Sequence, residues 1–147
     1  MKKKIVILIS TITVVIILLG TLWYLIACHG GSIGTWLDLT VNKEDNQYLI
    51  KVDKIHQGEG MPITPEDWKI KNFDAVICED GVWMWDVNLA DILNNETSNL
   101  TYYDVDGDGK VSVGDKFVVK GVLAESGDRF RLYYDHHAYV IGSCTLE

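Results

Sequence analysis

The chain has 147 residues, enough for one folded domain, and it is acidic, with 21 Asp and Glu against 13 Lys and Arg. Three of the basic residues are Lys2, Lys3 and Lys4, so from Cys28 onward 10 basic residues face 21 acidic ones, a net charge of −11. A surface this negative repels phosphate backbones, so we expect no nucleic-acid partner.

The N-terminus carries an apolar run over residues 5–27, interrupted only by Ser10, Gly20 and three threonines. As a helix, a run of this length spans about 34 Å, slightly more than the core of a bilayer. The lysines before it favour a cytoplasmic start, which leaves the rest of the chain outside. We therefore predict that residues 1–27 are a signal anchor or lipoprotein signal peptide, and that the domain is membrane-anchored on the extracytoplasmic side.

The end of the apolar run, Leu25-Ile26-Ala27-Cys28, resembles the lipobox of prokaryotic lipoproteins. This resemblance implies that the signal is removed and that Cys28 is lipidated; an uncleaved anchor is the alternative. The cysteine count is odd, and lipidation of Cys28 would leave Cys78 and Cys144 to form a disulfide outside the cytoplasm. Two separate buried thiols are the alternative to that disulfide.

Strand patterns dominate after a glycine-rich linker at residues 28–34. Residues 42–46 form a polar turn between two alternating segments, and residues 89–93 fit one helical turn. We predict an all-β fold over residues 35–147, an Ig-like antiparallel β-sandwich of about seven or eight strands preceded by an N-terminal hydrophobic helix. The predicted strands are residues 35–41, 47–55, 68–78, 82–87, 100–105, 116–123, 129–134 and 138–146.

Residues 104–115, with the sequence DVDGDGKVSVGD, match the pattern of a calcium-binding loop. Alternate residues of such a tightly wound loop direct their oxygens at one hard cation, and a glycine at position 6, here Gly109, permits the sharp turn. The alternative is a plain acidic hairpin turn. The predicted metal ligands are Asp104, Asp106, Asp108, the carbonyl of Lys110, Ser112 and Asp115.

The loop resembles those of EF-hands and dockerins, with departures. Position 12 is Asp rather than Glu, the flanking segments have strand rather than helix composition, and no second copy of the loop occurs. We therefore predict a calcium loop placed between β-strands, with Ca²⁺ as a structural cofactor. The full ligand set leaves no obvious catalytic position, so we expect no enzymatic activity.

A longer stretch, YYDVDGDGKVSVGDKFVV followed by RFRLYYD and VIGSCTL, is similar to the C-terminal half of certain archaeal secreted or pilin-like β-domains. The resemblance covers roughly 45 residues and implies a non-catalytic surface protein anchored at its N-terminus. One departure is that Lys4 runs directly into Ile5, without the cleavage site of a prepilin.

Three further patterns suggest sites. Trp83 and Trp85 could form a sugar-binding platform, but the apolar residues between and around them favour a central, buried strand. Residues 135–137, Asp-His-His, could bind a metal only if the strand bends, because neighbouring strand residues face opposite ways; surface histidines are the favoured interpretation. Asn95 and Asn99 begin two N-glycosylation sequons.

These patterns together favour a membrane-anchored, calcium-binding β-sandwich with a structural or adhesive role, whose partner is a cell-surface protein or glycan. Three alternatives stay open: a pilin-like surface subunit, a carbohydrate-binding module and a small metal-dependent enzyme. Exposed tryptophans would favour the carbohydrate-binding module. Convergence of His136 or His137 with other ligands in a pocket would favour the enzyme.

Overall fold

The computed structural model describes residues 35–57, 63–64 and 66–147. The predicted N-terminal helix, the linker at residues 28–34 and Cys28 lie outside the described residues. Within the part that is described, no helix combines the length and apolarity needed to cross a membrane.

The described residues form eight strands and two single-turn 3-10 helices, so the prediction of an all-β domain is confirmed. The 3-10 helices are Ile70–Asn72 and Leu89–Asp91. The strands are β1 (Thr35–Glu44), β2 (Gln47–Gln57), β3 (Phe73–Glu79), β4 (Val82–Asn88), β5 (Leu100–Tyr103), β6 (Lys116–Lys120), β7 (Arg129–Tyr134) and β8 (Tyr139–Thr145).

The strands pair into two four-stranded antiparallel sheets, ordered β1-β2-β6-β5 and β4-β3-β7-β8. Inward side chains from both sheets form one apolar cluster, as expected of a sandwich. Phe117 of the first sheet meets Phe130 of the second with ring centroids 4.9 Å apart. Each aromatic ring removed from water contributes on the order of 2 kcal/mol, so such contacts hold the two sheets together.

The sequence pattern explains the first hairpin. In β1, buried Thr35 and Leu37 alternate with exposed Trp36 and Asp38, which is the period of a strand with one face on the core. The predicted turn at residues 42–46 is shorter in the structure, because the strands continue to Glu44 and resume at Gln47.

Four predicted strands are shorter in the structure, and the largest differences are in β3 and β6. Residues 68–72 do not continue β3, because the chain makes a 3-10 turn before Phe73. Strand β6 ends at Lys120, because Gly121 approaches the β1–β2 turn, where its N–H donates to the Asn46 carbonyl at 2.7 Å. A side chain at Gly121 would place its Cβ 2.9 Å from that same oxygen.

The prediction that Trp83 and Trp85 belong to a buried central strand is wrong. Their strand, β4, lies at the edge of its sheet, and the two side chains are 45% and 37% exposed. A bulge between Ile77 and Cys78 shifts the pairing so that Trp85 lies opposite Ile77 and Trp83 opposite Cys78. Since Ile77 and Cys78 are neighbours in β3, the two tryptophans lie on opposite faces of the sheet and do not share a platform.

Contacts between three connections bring them together at one end of the sandwich. The segment between β2 and β3 bridges the β5–β6 loop through Lys69 and Lys110. It also reaches the β7–β8 turn, where the Asp135 N–H donates to the Asn72 carbonyl at 3.0 Å. Loop clusters of this kind are common binding positions on rigid β-scaffolds.

Candidate metal centre

The acidic loop at residues 104–115 connects β5 to β6 and brings three carboxylates together. One oxygen from each of Asp104, Asp106 and Asp108 lies within 4.8 Å of the other two. Gly107 and Gly109 have φ of 72° and 75°, a left-handed backbone that glycine adopts without steric cost. The predicted sharp turn at Gly109 is therefore present, and it curls the loop around the three oxygens.

Backbone N–H groups fix the carboxylate of Asp104. The N–H of Gly107 donates to Asp104 Oδ1 at 2.8 Å, and the N–H of Gly109 donates to Oδ2 at 2.9 Å. These two bonds fix the orientation of the carboxylate, and each oxygen keeps lone pairs that can accept another contact.

The other two carboxylates are held in the same way. The Asp108 N–H donates to Asp106 Oδ1 at 3.2 Å, the Ser112 hydroxyl donates to Oδ2 at 3.1 Å, and the Lys110 N–H donates to Asp108 Oδ1 at 2.8 Å. The hydrogen bond from the Asp108 N–H is the largest of the effects that lower the pKa of Asp106. The carboxylate form therefore dominates at neutral pH, as a metal ligand requires.

Asp115, the predicted ligand at position 12, lies beneath the loop and is not among the clustered carboxylates. Its Oδ2 accepts from the Tyr102 hydroxyl at 2.5 Å and from the Ser112 N–H at 2.6 Å, and its Oδ1 accepts from the Val105 N–H at 2.9 Å. Burial raises the pKa of Asp115 and outweighs the lowering by these three donors. The side chain therefore anchors the loop to the core.

Tyr102 completes that anchor from β5. The ring is fully buried against Phe117, with centroids 4.9 Å apart. Burial, followed by the hydrogen bond to Asp115, raises the pKa of the Tyr102 phenol well above its ordinary value, so the hydroxyl keeps its proton and donates. Tyr102 was not among the residues predicted from the sequence, because only the fold shows that its hydroxyl reaches Asp115.

Main-chain bonds attach the loop to its surroundings at two further points. The Val111 N–H donates to the Trp68 carbonyl at 2.9 Å, and the Ile70 N–H donates to the Gly109 carbonyl at 3.2 Å. Near the end of the loop, the Gly114 N–H donates to the Val52 carbonyl at 2.8 Å. The loop is therefore pre-formed on the sandwich, and its flanks are the strands β5 and β6, as predicted, rather than EF-hand helices.

No cationic side chain among the described residues pairs with the negative charge of the three clustered aspartates. Among the described residues, none of Asp104, Asp106 and Asp108 forms a salt bridge. Three carboxylates this close repel one another, and a divalent cation would offset that repulsion. An all-oxygen donor set suits a hard cation such as Ca²⁺ or Mg²⁺ rather than a transition metal.

The predicted disulfide between Cys78 and Cys144 is absent, and both described cysteines carry free thiols. Cys78 lies in β3 and Cys144 in β8, with β7 between them, which separates their Cα atoms by about 10 Å, beyond disulfide reach. They also face opposite ways, because Cys78 packs on the outer side of the sheet and Cys144 against the main core. Burial raises the pKa of Cys78, and it raises that of Cys144 to about 12.

The two histidines of the Asp-His-His segment lie in the β7–β8 turn at the surface, as the sequence favoured, and both approach one carboxylate. His136 Nδ1 and His137 Nε2 lie 3.9 Å and 4.0 Å from the same oxygen, Oδ2 of Asp74. No sequence pattern marks Asp74 as their partner, because it lies in the apolar strand β3, 62 positions before His136.

The two sequons differ in exposure. Asn95 is exposed in the β4–β5 connection, where its side-chain oxygen accepts from the Thr97 hydroxyl at 2.7 Å. Asn99 is half-buried. Thr101 of the same sequon is buried, and its hydroxyl donates to the Asn95 carbonyl at 2.9 Å. Only the first sequon is therefore fully presented to solvent.

Comparison of the chain with protein-family models and with curated proteins finds no match.

Proposed function

We propose that this protein is a membrane-anchored, extracytoplasmic calcium-binding β-sandwich with a structural or adhesive, non-catalytic role. The observation that carries the proposal is the group of three carboxylates, Asp104, Asp106 and Asp108, whose oxygens lie within 4.8 Å of one another. Their pre-orientation by backbone N–H groups supports a site that needs little rearrangement to accept a cation.

The proposed ligands at loop positions 1, 3 and 5 are the three clustered carboxylates, with the Lys110 carbonyl and Ser112 at positions 7 and 9. Asp115 occupies position 12, but its carboxylate is fully buried beneath the loop, is held by three donors and lies outside the carboxylate cluster. We therefore assign it first to anchoring the loop. Without the carboxylate of Asp115, the site has one charged ligand fewer. This supports weak binding, such as the Kd of roughly 10⁻⁴–10⁻³ M of the calcium sites in extracellular modules.

A structural role for the metal fits the position of the loop. It joins neighbouring strands of one sheet, and its backbone bonds to the segment before β3. A cation held there would rigidify the loop and, through these backbone bonds, the segment before β3. The role would be stabilisation of that end as a binding surface, where partner-contacting residues of β-sandwich proteins are often found.

The strand order supports an Ig-like assignment for the sandwich. Numbering the eight strands along the Ig fold as A, B, C, C′, D, E, F and G gives the sheets ABED and C′CFG, which is the order found here. In this assignment the acidic loop is the D–E connection. The Asp-His-His turn is the F–G connection, so both lie at the end that carries ligand-binding loops in variable domains.

The membrane anchor rests on the sequence of residues 1–28 alone, with its lysines, apolar run and lipobox-like Leu25–Cys28 segment. We propose that this segment keeps the domain at the outer face of the membrane, by a lipid on Cys28 or by the uncleaved helix.

Calorimetric titration of the full chain in detergent micelles with Ca²⁺ tests the calcium site. We expect one bound ion per chain, and binding lost in Asp106→Asn, which keeps the size of the side chain and removes its charge. Asp80→Asn is the matched control, because this aspartate lies in the exposed β3–β4 turn, outside the loop. Absence of binding in the unaltered chain at millimolar Ca²⁺, or unaltered binding in Asp106→Asn, would contradict the proposal.

A glycan partner is a second candidate, favoured by the exposure of Trp83. Its ring lies on the outer face of the second sheet, 5.4 Å from the ring of Tyr133, so an aromatic surface is available there. Retardation of the protein in gels containing soluble polysaccharides, abolished by Trp83→Ala and retained in Trp36→Ala, would support this candidate. Equal retardation of both variants would exclude Trp83 as the contact.

A further inference from the structure

A second polar cluster lies on the outer face of the sheet β4-β3-β7-β8, next to the β7–β8 turn. Its centre is Asp74, a carboxylate that is only 5% exposed. Asp74 Oδ1 accepts from the Asn88 side-chain amide at 2.8 Å, but Oδ2 is buried without any hydrogen-bond partner. A buried carboxylate oxygen without a donor is unfavourable, so this atom is open to a bound cation.

Two imidazole nitrogens face that oxygen. His136 Nδ1 lies 3.9 Å from Asp74 Oδ2, and His137 Nε2 lies 4.0 Å from it. His137 Nε2 also lies 2.9 Å from Oδ1 of Asp86, a hydrogen-bond distance. The cluster therefore offers two nitrogens and two carboxylates from β3, β4 and the β7–β8 turn.

Two adjacent histidines in a strand would face opposite ways, but the backbone of the β7–β8 turn lets both face Asp74. His136 and His137 have φ of 48° and 71°, and the Ala138 N–H donates to the Asp135 carbonyl at 3.1 Å to close the turn. Positive φ at both central positions is usually satisfied by Asn-Gly, since other residues adopt it at a cost. Histidines at these positions are thus unfavourable for the turn itself, and this geometry turns both rings towards Asp74.

Aromatic neighbours hold the ring of His137 in place. The Trp83 ring lies 4.8 Å from it in a tilted contact, and the Tyr133 ring meets it edge-on at 5.3 Å. The side chain of His136, in contrast, is 84% exposed and has room to move. One imidazole is therefore pre-positioned and the other can adjust to a bound ion.

We propose that His136, His137 and Asp74 bind a divalent transition-metal ion of the zinc class, with Asp86 as a fourth ligand. Imidazole nitrogen with carboxylate oxygen is a donor set that Zn²⁺ accepts, whereas Ca²⁺ prefers oxygen alone. Ligand atoms around a tetrahedral Zn²⁺ stand about 3.3 Å apart. The distances of 3.9 Å and 4.0 Å must therefore shorten by about 0.6 Å. The two imidazole nitrogens must also approach one another, because the three ligand atoms do not all lie within 4.8 Å of one another. The side chain of His136, which is 84% exposed, has room for that movement.

This site is independent of the calcium proposal, because it shares no residue with the acidic loop. The matched control is the pair His56 and Asp38, which also join at 2.7 Å beside a stacked tryptophan, Trp36 at 4.8 Å. That pair has no second histidine in the same contact among the described residues, so it offers too few ligands for tight binding.

The experiment is calorimetric titration of the metal-stripped full chain in detergent micelles with Zn²⁺ at pH 7.5. We expect one Zn²⁺ per chain with a micromolar Kd, weakened at least tenfold in His137→Gln and in His136→Gln, and unaltered in His56→Gln. The double variant His136→Asn with His137→Gly gives the turn its preferred residues, so it should fold as stably as the parent and lose Zn²⁺ binding.

The calcium-loop variant Asp106→Asn should bind Zn²⁺ as the parent does, which separates the two sites. The proposal is overturned by millimolar or weaker Zn²⁺ binding in the parent, by undiminished binding in the Asn-Gly turn variant, or by loss of binding in His56→Gln.

Discussion

At the scale of single residues, Asp115 and Tyr102 decide how the acidic loop is held. The carboxylate is fully buried with three donors, and the only side-chain donor among them is the Tyr102 hydroxyl. A hydrogen bond to a charged group contributes more than one between neutral groups, and its loss leaves a buried charge short of a partner.

Replacement of Tyr102 by Phe tests that anchor. We expect Tyr102→Phe to lower the free energy of unfolding by about 1.5–3 kcal/mol, because the buried carboxylate of Asp115 keeps only its two backbone donors. Urea unfolding followed by circular dichroism measures the change. Tyr103→Phe is the matched control, since among the described residues its hydroxyl makes no side-chain hydrogen bond; an equal loss in both variants would refute the anchor.

The cysteines give a second prediction at this scale. With a pKa of about 12, the Cys144 thiol carries a thiolate in on the order of one molecule in 10,000 at pH 8, and Cys78 is buried. In the Cys28→Ser chain, we expect a thiol reagent to react with neither cysteine in the folded state. After unfolding in guanidinium without reductant it should detect two thiols. Detection of none would show that a disulfide had formed.

At the scale of elements, the close approach of β1 and β8 depends on Gly142. A Cβ at this position would lie 3.1 Å from Leu39 Cδ1 and 3.5 Å from Leu37 Cβ. Gly142 is buried, and Leu37 belongs to the main core, so there is little room for a side chain to move.

Overpacking at Gly142 should therefore destabilise the domain. We expect Gly142→Val to lower the free energy of unfolding by about 1–3 kcal/mol, measured by urea unfolding. Ser143→Val places the same side chain one residue later on the exposed face, where valine suits a strand, and should change the free energy of unfolding by less than about 0.5 kcal/mol. A larger loss in Ser143→Val than in Gly142→Val would contradict this packing.

The strands also show how much of the fold could be predicted from the sequence. Alternation and turn residues predicted all eight strands to within a few residues, because both signals are local. The same signals failed for β4, where the run Val82–Trp85 suggested burial. Whether a strand is central or at an edge depends on its partners, and a bulge opposite Cys78 changed which face each tryptophan occupies.

The acidic loop and the histidine cluster were also predictable only in part. The spacing of Asp104, Asp106 and Asp108 predicted their clustering, since residues two apart in a tight loop converge. The anchoring role of Asp115 was not predictable, because it depends on a tyrosine from another element. The convergence of His136 and His137 depends on three successive residues with positive φ, which no residue type at those positions signalled.

At the scale of the whole molecule, the anchor and the sandwich make separate predictions. The mature chain should sediment with membranes and resist extraction by alkaline carbonate. Intact-mass measurement should give either a chain that begins at a lipid-modified Cys28 or one that retains residues 1–27. A mature chain that lacks both the lipid and residues 1–27 and stays in the soluble fraction would contradict membrane anchoring.

The central claim is that the acidic loop stabilises the sandwich by holding Ca²⁺. With a Kd of about 0.1 mM, 10 mM Ca²⁺ adds about 2.7 kcal/mol to the free energy of unfolding. For a domain of this size that corresponds to a rise in Tm of about 10 °C. Excess EDTA should reverse the rise, and Asp104→Asn should abolish it, while 10 mM Mg²⁺ should give a smaller rise because Mg²⁺ dehydrates reluctantly.

The most direct measurement is therefore the Tm of the metal-stripped full chain, by near-ultraviolet circular dichroism, before and after addition of 10 mM Ca²⁺. We predict a rise of about 10 °C that depends on the three clustered aspartates. A Tm that is the same with Ca²⁺ and with EDTA would contradict a stabilising calcium loop, whether or not the proposed zinc site binds its metal.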